Sequence, residues 1–184
     1  MEKAQQLEFK VRELREKQKQ IRSEVDDLKE VKFMSEVQEV MIKELEDLQV
    51  ACIRYKGKYQ EVGQYLGQLF KQVGMHAVGA PFSLYYDEEY TEEDADVEVC
   101  VEVKKKVDKG GVTSRTLKGC KVVSIVHVGP YETLSKSYKA IEDYIIEKGL
   151  TSYAPSREIY HKGPGMLMKG NPEKYRTEIQ MPVR

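Results

Sequence analysis

The sequence has no tryptophan, only three cysteines and three histidines, and no extended apolar run. Each shortage excludes something. Cys52, Cys100 and Cys120 are odd in number and widely spaced, with no C-x-x-C pair, so neither a disulfide framework nor a zinc site is expected, and free thiols in a reducing compartment are. His76, His127 and His161 show no i, i+4 pairing, and no Ser-His-Asp or Cys-His arrangement can be placed. No stretch approaches the roughly 18 apolar residues that span a membrane, and the amino terminus lacks a signal-peptide core. The 30 basic residues are offset by 31 acidic ones, a formal charge of -1, which gives no net attraction to phosphate backbones or anionic lipid. These absences point to a cytoplasmic protein whose partners are neither nucleic acid nor membrane.

What is present falls into two parts. Residues 1–36 hold no Pro or Gly, and Leu7, Val11, Leu14, Gln18, Ile21, Val25, Leu28 and Lys32 recur on alternating steps of four and three. This narrow heptad seam predicts a coiled-coil helix, with homodimerisation through residues 1–32. Glu8 with Arg12 and Glu13 with Lys17 are spaced for pairing on its surface.

Residues 37–184 are written twice, in repeats of about 37–107 and 112–184. "VACIRYKGKYQEV" lies over "VVSIVHVGPYETL", and Val50/Val122, Ile53/Ile125, Gly57/Gly129 and Tyr59/Tyr131 stand in register 72 positions apart. In each copy an amphipathic helix follows: Val62, Tyr65, Leu66, Leu69, Phe70 and Val73, or Leu134, Tyr138, Ile141 and Ile145. Next come an Ala-Pro loop, a tyrosine-containing strand ("FSLYY" or "REIYH"), a hairpin connection and a closing strand ("DVEVCVEV" or "RTEIQMPV"). A tandem β-α-β-β repeat predicts an α+β domain, with two helices on one face of a mainly antiparallel sheet and a ligand groove on the other.

Alternation in the closing strands assigns Val97, Val99, Val101 and Val103, and likewise Ile179, Met181 and Val183, to the helices. Glu98, Cys100, Glu102, Glu178 and Gln180 then take the uncovered face. The same reading turns Ile159 toward the helices and places Glu158 and Tyr160 beside Glu178. Among the 12 tyrosines, Tyr65, Tyr138 and Tyr144 read as packing residues, Tyr59 and Tyr131 open the helices, and Tyr86 and Tyr160 are candidates for the groove.

At "HVGPYETL", "YAPSREIYH" and "RTEIQMPV" the region from about Val37 to Arg184 resembles the GyrI-like, or AraC-type effector-binding, domain that also forms the ligand-binding end of BmrR-like MerR-family multidrug regulators. The resemblance implies an aromatic groove with an acidic residue that meets flat, lipophilic, often cationic compounds, and it makes the heptad helix similar to a MerR-type linker helix. Those regulators carry a winged helix-turn-helix ahead of that helix. This chain starts inside it, so direct nucleic-acid binding is not expected. Glu178, Glu158 and Glu98, with Tyr160, Tyr131, Tyr59 and Tyr86, are the ligand-binding candidates that follow, through ring stacking and charge pairing. No cofactor, metal or catalytic residue is assigned. Two alternatives stay open: hydrolysis of strained cyclopropane compounds, as some GyrI-like proteins look able to perform with a buried glutamate and a tyrosine, and a protein-interaction module of the gyrase-inhibitor kind.

Overall fold

In a computed structural model of the chain, residues 8, 10–25, 39–87, 89–91, 93–164 and 170–184 are described. They belong to two compact units, Met1–Val37 and Gln38–Arg184.

In the first unit helix α1 runs over 10–25, Glu8 is helical as well, and the other residues of the expected helix lie outside the described residues. Lys17 pairs with Glu13 at 2.7 Å, one helical turn away. The seam residues Val11, Leu14, Ile21 and Val25 are 43%, 59%, 60% and 42% exposed and form an apolar stripe along the helix.

The second unit holds β1 (Met41–Glu44), β2 (Leu48–Gly57), α2 (Val62–Val73), β3 (Ala77–Tyr85), β4 (Ala95–Val103), β5 (Thr113–Leu117), β6 (Lys121–Val128), α3 (Leu134–Glu147), β7 (Ser156–Lys162) and β8 (Arg176–Pro182). The eight strands form one sheet in the order β1-β6-β8-β7-β3-β4-β2-β5, antiparallel at each pairing. The order is the same read from either side of the β7–β3 junction: β7-β8-β6 in one copy matches β3-β4-β2 in the other. This is the expected duplication, with two additions. The short edge strands β1 and β5 flank β6 and β2, and Ala80-Pro81, read as a loop, lies inside β3 where its register with β4 shifts.

Period-two valines build the core under the helices. Val97, Val99, Val101 and Val103 pack with Ala51, Ile53 and Tyr55 against Leu69 and Val73 of α2. In the second copy α3 buries Ile141 and Ile145, and Ile125 and Ile179 are fully covered. Each such side chain contributes roughly 1.5–3 kcal/mol when removed from water. The repeated glycine at the β2 and β6 ends has a local cause in each copy. Gly57 leaves space for the Glu61 carboxylate, which accepts the Lys58 N–H at 2.8 Å, whereas Gly129 has φ 139°, a conformation other residues rarely adopt.

The opposite face of the sheet is also apolar at its centre, where Val50, Cys52, Phe82, Leu84, Cys100 and Leu117 cluster. Ile159 packs against this cluster. The expected phase of β7 is therefore corrected: Ile159 pairs with Glu178 on the face away from the helices, and Glu158 and Tyr160 turn toward them. A lone apolar residue could not fix the phase, because both faces of this sheet bury apolar side chains.

Candidate functional site

On the uncovered face, the two copies place equivalent carboxylates in equivalent ion pairs. Glu98 on β4 accepts from Arg115 of β5, which reaches both carboxylate oxygens, and from the Tyr86 hydroxyl at 2.7 Å. Glu178 on β8 accepts from Lys43 of β1 at 2.8 Å, Ser124 at 2.7 Å and Gln180 at 2.8 Å, and lies 2.9 Å from His161 Nε2. Each edge strand thus supplies one cation to the glutamate of the half-sheet it flanks, which in sequence belongs to the other repeat. Burial alone would raise the Glu178 carboxyl, but hydrogen bonds from Gln180, Lys43, Ser124 and His161 outweigh it and bring it to about 2. Burial likewise opposes ionisation of Glu98, and Arg115 and Tyr86 more than offset it. Cys52 and Cys100 sit beside Glu98 with their sulfurs 3.2 Å apart, close enough for the three to share an ion. Arg115 already holds both Glu98 oxygens, and burial raises the Cys100 thiol.

The helix-covered face carries a different carboxylate. Glu158 is 9% exposed and lies directly across from Ser83 in the β7–β3 pair. Tyr138 of α3 donates to its Oε1 at 2.7 Å, and the Tyr85 and Tyr160 hydroxyls approach Oε2 at 3.1 and 3.2 Å. Tyr85 and Tyr160 are 2.9 Å from each other, and Tyr160 is 3.1 Å from Ser83 Oγ. These are five oxygen–oxygen contacts served by four hydroxyl protons, one each from Tyr85, Tyr138, Tyr160 and Ser83, so a proton on Glu158 completes the network. Burial raises the Glu158 carboxyl, only partly countered by the three phenols. Among the described residues no basic side chain forms an ion pair with it.

Further rings extend the site on both sides. Tyr59 tilts against Tyr85 with centroids 5.7 Å apart and stacks on Tyr90 at 5.2 Å. Tyr131 meets Tyr160 edge-on at 6.2 Å and Tyr175 at 5.4 Å. Tyr131 is 37% exposed, and its hydroxyl fills the space over Gly163, where a Cβ would lie 2.8 Å from it. Burial pushes the Tyr131 hydroxyl up to about 12, so it remains a donor at neutral pH.

The sequence candidates thus separate into two groups. Glu158, Tyr160, Tyr131 and Tyr59 come together between the helices, whereas Glu178, Glu98 and Tyr86 lie on the far side of the sheet. Tyr85, Tyr138 and Ser83 were missed. The repeat held the signal: laying "FSLYY" over "REIYH" sets Ser83 against Glu158 and Tyr85 against Tyr160, each 75 positions apart, so that Glu158 is a carboxylate where the other copy has a hydroxyl.

A duplicated β-α-β-β sheet with a carboxylate and tyrosines enclosed under its two helices defines a small-molecule-binding α+β domain. The chain belongs to the GyrI-like small molecule binding domain family, whose model matches residues 38–184. Among solved structures it is similar to the C-terminal domain of EcmrR, at 25% identity over 81% of this chain and 98% of that one, with a TM-score of 0.70. EcmrR in its complex with DNA matches at 26% identity over 92% of this chain and 69% of that one, also with a TM-score of 0.70. A hydrolase from Listeria innocua shares the fold at 17% identity over 85% of this chain and 97% of that one, with a TM-score of 0.61. No curated protein matches the sequence. No described helix is long and apolar enough to cross a membrane.

Proposed function

We propose that the domain binds lipophilic aromatic cations between its helices, with Glu158 as the counter-charge, and that this binding serves as the effector input of a transcriptional regulator or sequesters the compound. The observation that carries the reading is a buried carboxylate enclosed by three phenol hydroxyls, with no cation paired to it among the described residues. A charge in that position is costly until something pairs with it. Tyr59 and Tyr131, the outer rings, supply faces for stacking, worth about 0.5–2 kcal/mol per cation–ring contact depending on desolvation. Glu178 and Glu98, whose cations are built in, have no such need. Likeness to EcmrR, a protein captured on DNA, supports the regulatory side of the reading, with the heptad helix pairing two copies.

Calorimetric titration with tetraphenylphosphonium and with neutral triphenylphosphine oxide tests this. The cation binds at least tenfold more tightly to the intact protein, and Glu158→Gln removes most of the difference while preserving binding of the neutral compound. Equal binding of both compounds, or a preference that survives Glu158→Gln, defeats the assignment. A glutamate with a raised pKa beside phenol donors is also an arrangement for general acid–base chemistry. Mass analysis of recovered ligands, cyclopropane-containing ones included, therefore separates binding from turnover.

A further inference from the structure

Arg157 precedes Glu158 in β7, and alternation turns it to the opposite face of the sheet, where it lines a groove of ≈ 350 Å³. It is 5% exposed. Among the described residues no carboxylate pairs with it. Its Nη2 makes two long contacts, 3.4 Å to the Lys118 carbonyl oxygen and 3.4 Å to Cys120 Sγ, and its buried Nε has no partner. A guanidinium carries five N–H donors in a rigid fork, and burying one without an anion leaves most of that capacity unused.

The groove has room for a small molecule. Leu48, Val78, Phe82 and Ile159 give it an apolar wall. Glu44, Glu46 and Glu102 stand in its lining as well; the first two are exposed and the third is half-buried. Water screens the charges of Glu44 and Glu46, and in part that of Glu102, more strongly than that of the buried Arg157. The three carboxylates leave room for one negative charge at the guanidinium and repel a ligand that carries more.

We propose that this groove is a second ligand site, distinct from Glu158, that takes a lipophilic monocarboxylate. The apolar body lies along Leu48, Val78, Phe82 and Ile159. The carboxylate meets the Arg157 fork, whose planar donors match its two oxygens.

The test is calorimetric titration of the full chain with 2-naphthoate, its methyl ester and 2-naphthyl phosphate. One naphthoate binds per chain, and the ester and the phosphate bind at least tenfold more weakly. Arg157→Met weakens naphthoate by about thirty-fold or more, the usual scale for removing one partner of a buried charge pair, and leaves the ester within about twofold. Ala80→Trp, a half-buried groove position, blocks both compounds. Glu158→Gln changes neither, which keeps this site separable from the cation site. No naphthoate binding at millimolar concentration, ester binding equal to naphthoate, or unchanged naphthoate affinity in Arg157→Met overturns the proposal. If Arg157→Met fails to fold, Ala80→Trp decides, and naphthoate binding that survives it overturns the proposal.

Discussion

Ser83 and Glu158 face each other across the junction of the two repeats, a hydroxyl in one copy against a carboxylate in the other. Paired positions such as Glu98 and Glu178 lie in separate halves of the sheet, but Ser83 and Glu158 are each other's counterpart and share one place. Where the two copies meet, the helix-covered face therefore carries a carboxylate on one side and a hydroxyl on the other. Tyr85 and Tyr160, also counterparts, converge on that carboxylate from both sides.

Glu158 makes the folded protein less stable as it ionises. Its carboxyl is raised above the ordinary glutamate value of 4.5, so the folded state holds the proton more tightly than the unfolded one. The stabilisation this provides is fully present below pH 4.5 and is lost as pH rises through the raised value. Glu158→Gln, neutral at every pH, should match the parent near pH 4 and exceed it in stability near pH 8. Urea denaturation at both pH values measures this. A variant less stable at pH 8 would show that the charged form is the one the fold prefers.

Glu178 should behave in the opposite sense. With its carboxyl lowered to about 2, its contribution is present above pH 4.5 and is lost as pH falls toward 2. Glu178→Gln breaks the contact with Lys43 and unbalances the bonds from Ser124 and Gln180. A loss of about 1–3 kcal/mol at neutral pH is expected, shrinking in acid, with affinity for tetraphenylphosphonium unchanged. Denaturation midpoints and the same titration check both halves. Impaired cation binding in a folded Glu178→Gln protein would move the site to the uncovered face.

The duplication, the two helices and the faces of β4 and β8 were legible because each rests on a repeated pattern. Four valines in strict alternation fix the phase of β4, and Ile179 with Met181 fixes that of β8. In β7 the only apolar marker among Arg157, Glu158, Ile159 and Tyr160 is Ile159, apart from the tyrosine itself. It packs on the uncovered side, beside Phe82 and Leu84, because that face has a second apolar cluster whose members come from four other strands, all distant from β7 in sequence. The strand was misread by one face, and Glu158 went with it. Tyr138 looked like packing for a related reason: helical spacing shows that it faces the sheet, but only the correct phase of β7 shows that it meets a carboxylate there. The edge strands left little sequence signal, since β1 has four residues and β5 has five, both mixed in polarity.

The exposed stripe on α1 gives a prediction about assembly. Val11, Leu14, Ile21 and Val25 form a narrow seam suited to a second helix. Light scattering at micromolar concentration should report a dimer for the whole chain and a folded monomer once residues 1–32 are removed. Ile21→Asp, which places a charge in the seam, should shift the whole chain toward monomer. A monomer at the outset would show that the stripe has another use.

Cation binding at Glu158 should release a proton, and its strength should therefore depend on pH. The five contacts around Glu158 lack one proton when the carboxyl is ionised, and burial holds that proton on the carboxyl beyond the ordinary glutamate range. A bound cation reverses this preference, since the ionised form then has a partner in a poorly solvated space. Affinity for tetraphenylphosphonium should rise with pH until Glu158 is ionised in the free protein, by close to tenfold per pH unit below that point, and level off above it. Titrations in buffers of different ionisation enthalpy, at a pH below the plateau, should reveal up to one proton released per cation bound. Glu158→Gln should abolish both the release and the slope. The other groups near the site cannot mimic the effect: burial raises the Tyr85, Tyr138 and Tyr160 hydroxyls well above 10, so they keep their protons throughout the range. Affinity that stays flat from pH 4.5 to pH 8, with no proton released, would mean either that Glu158 is ionised before the ligand arrives or that the cation binds elsewhere. Glu158→Gln separates the two, since it weakens binding in the first case and leaves it intact in the second.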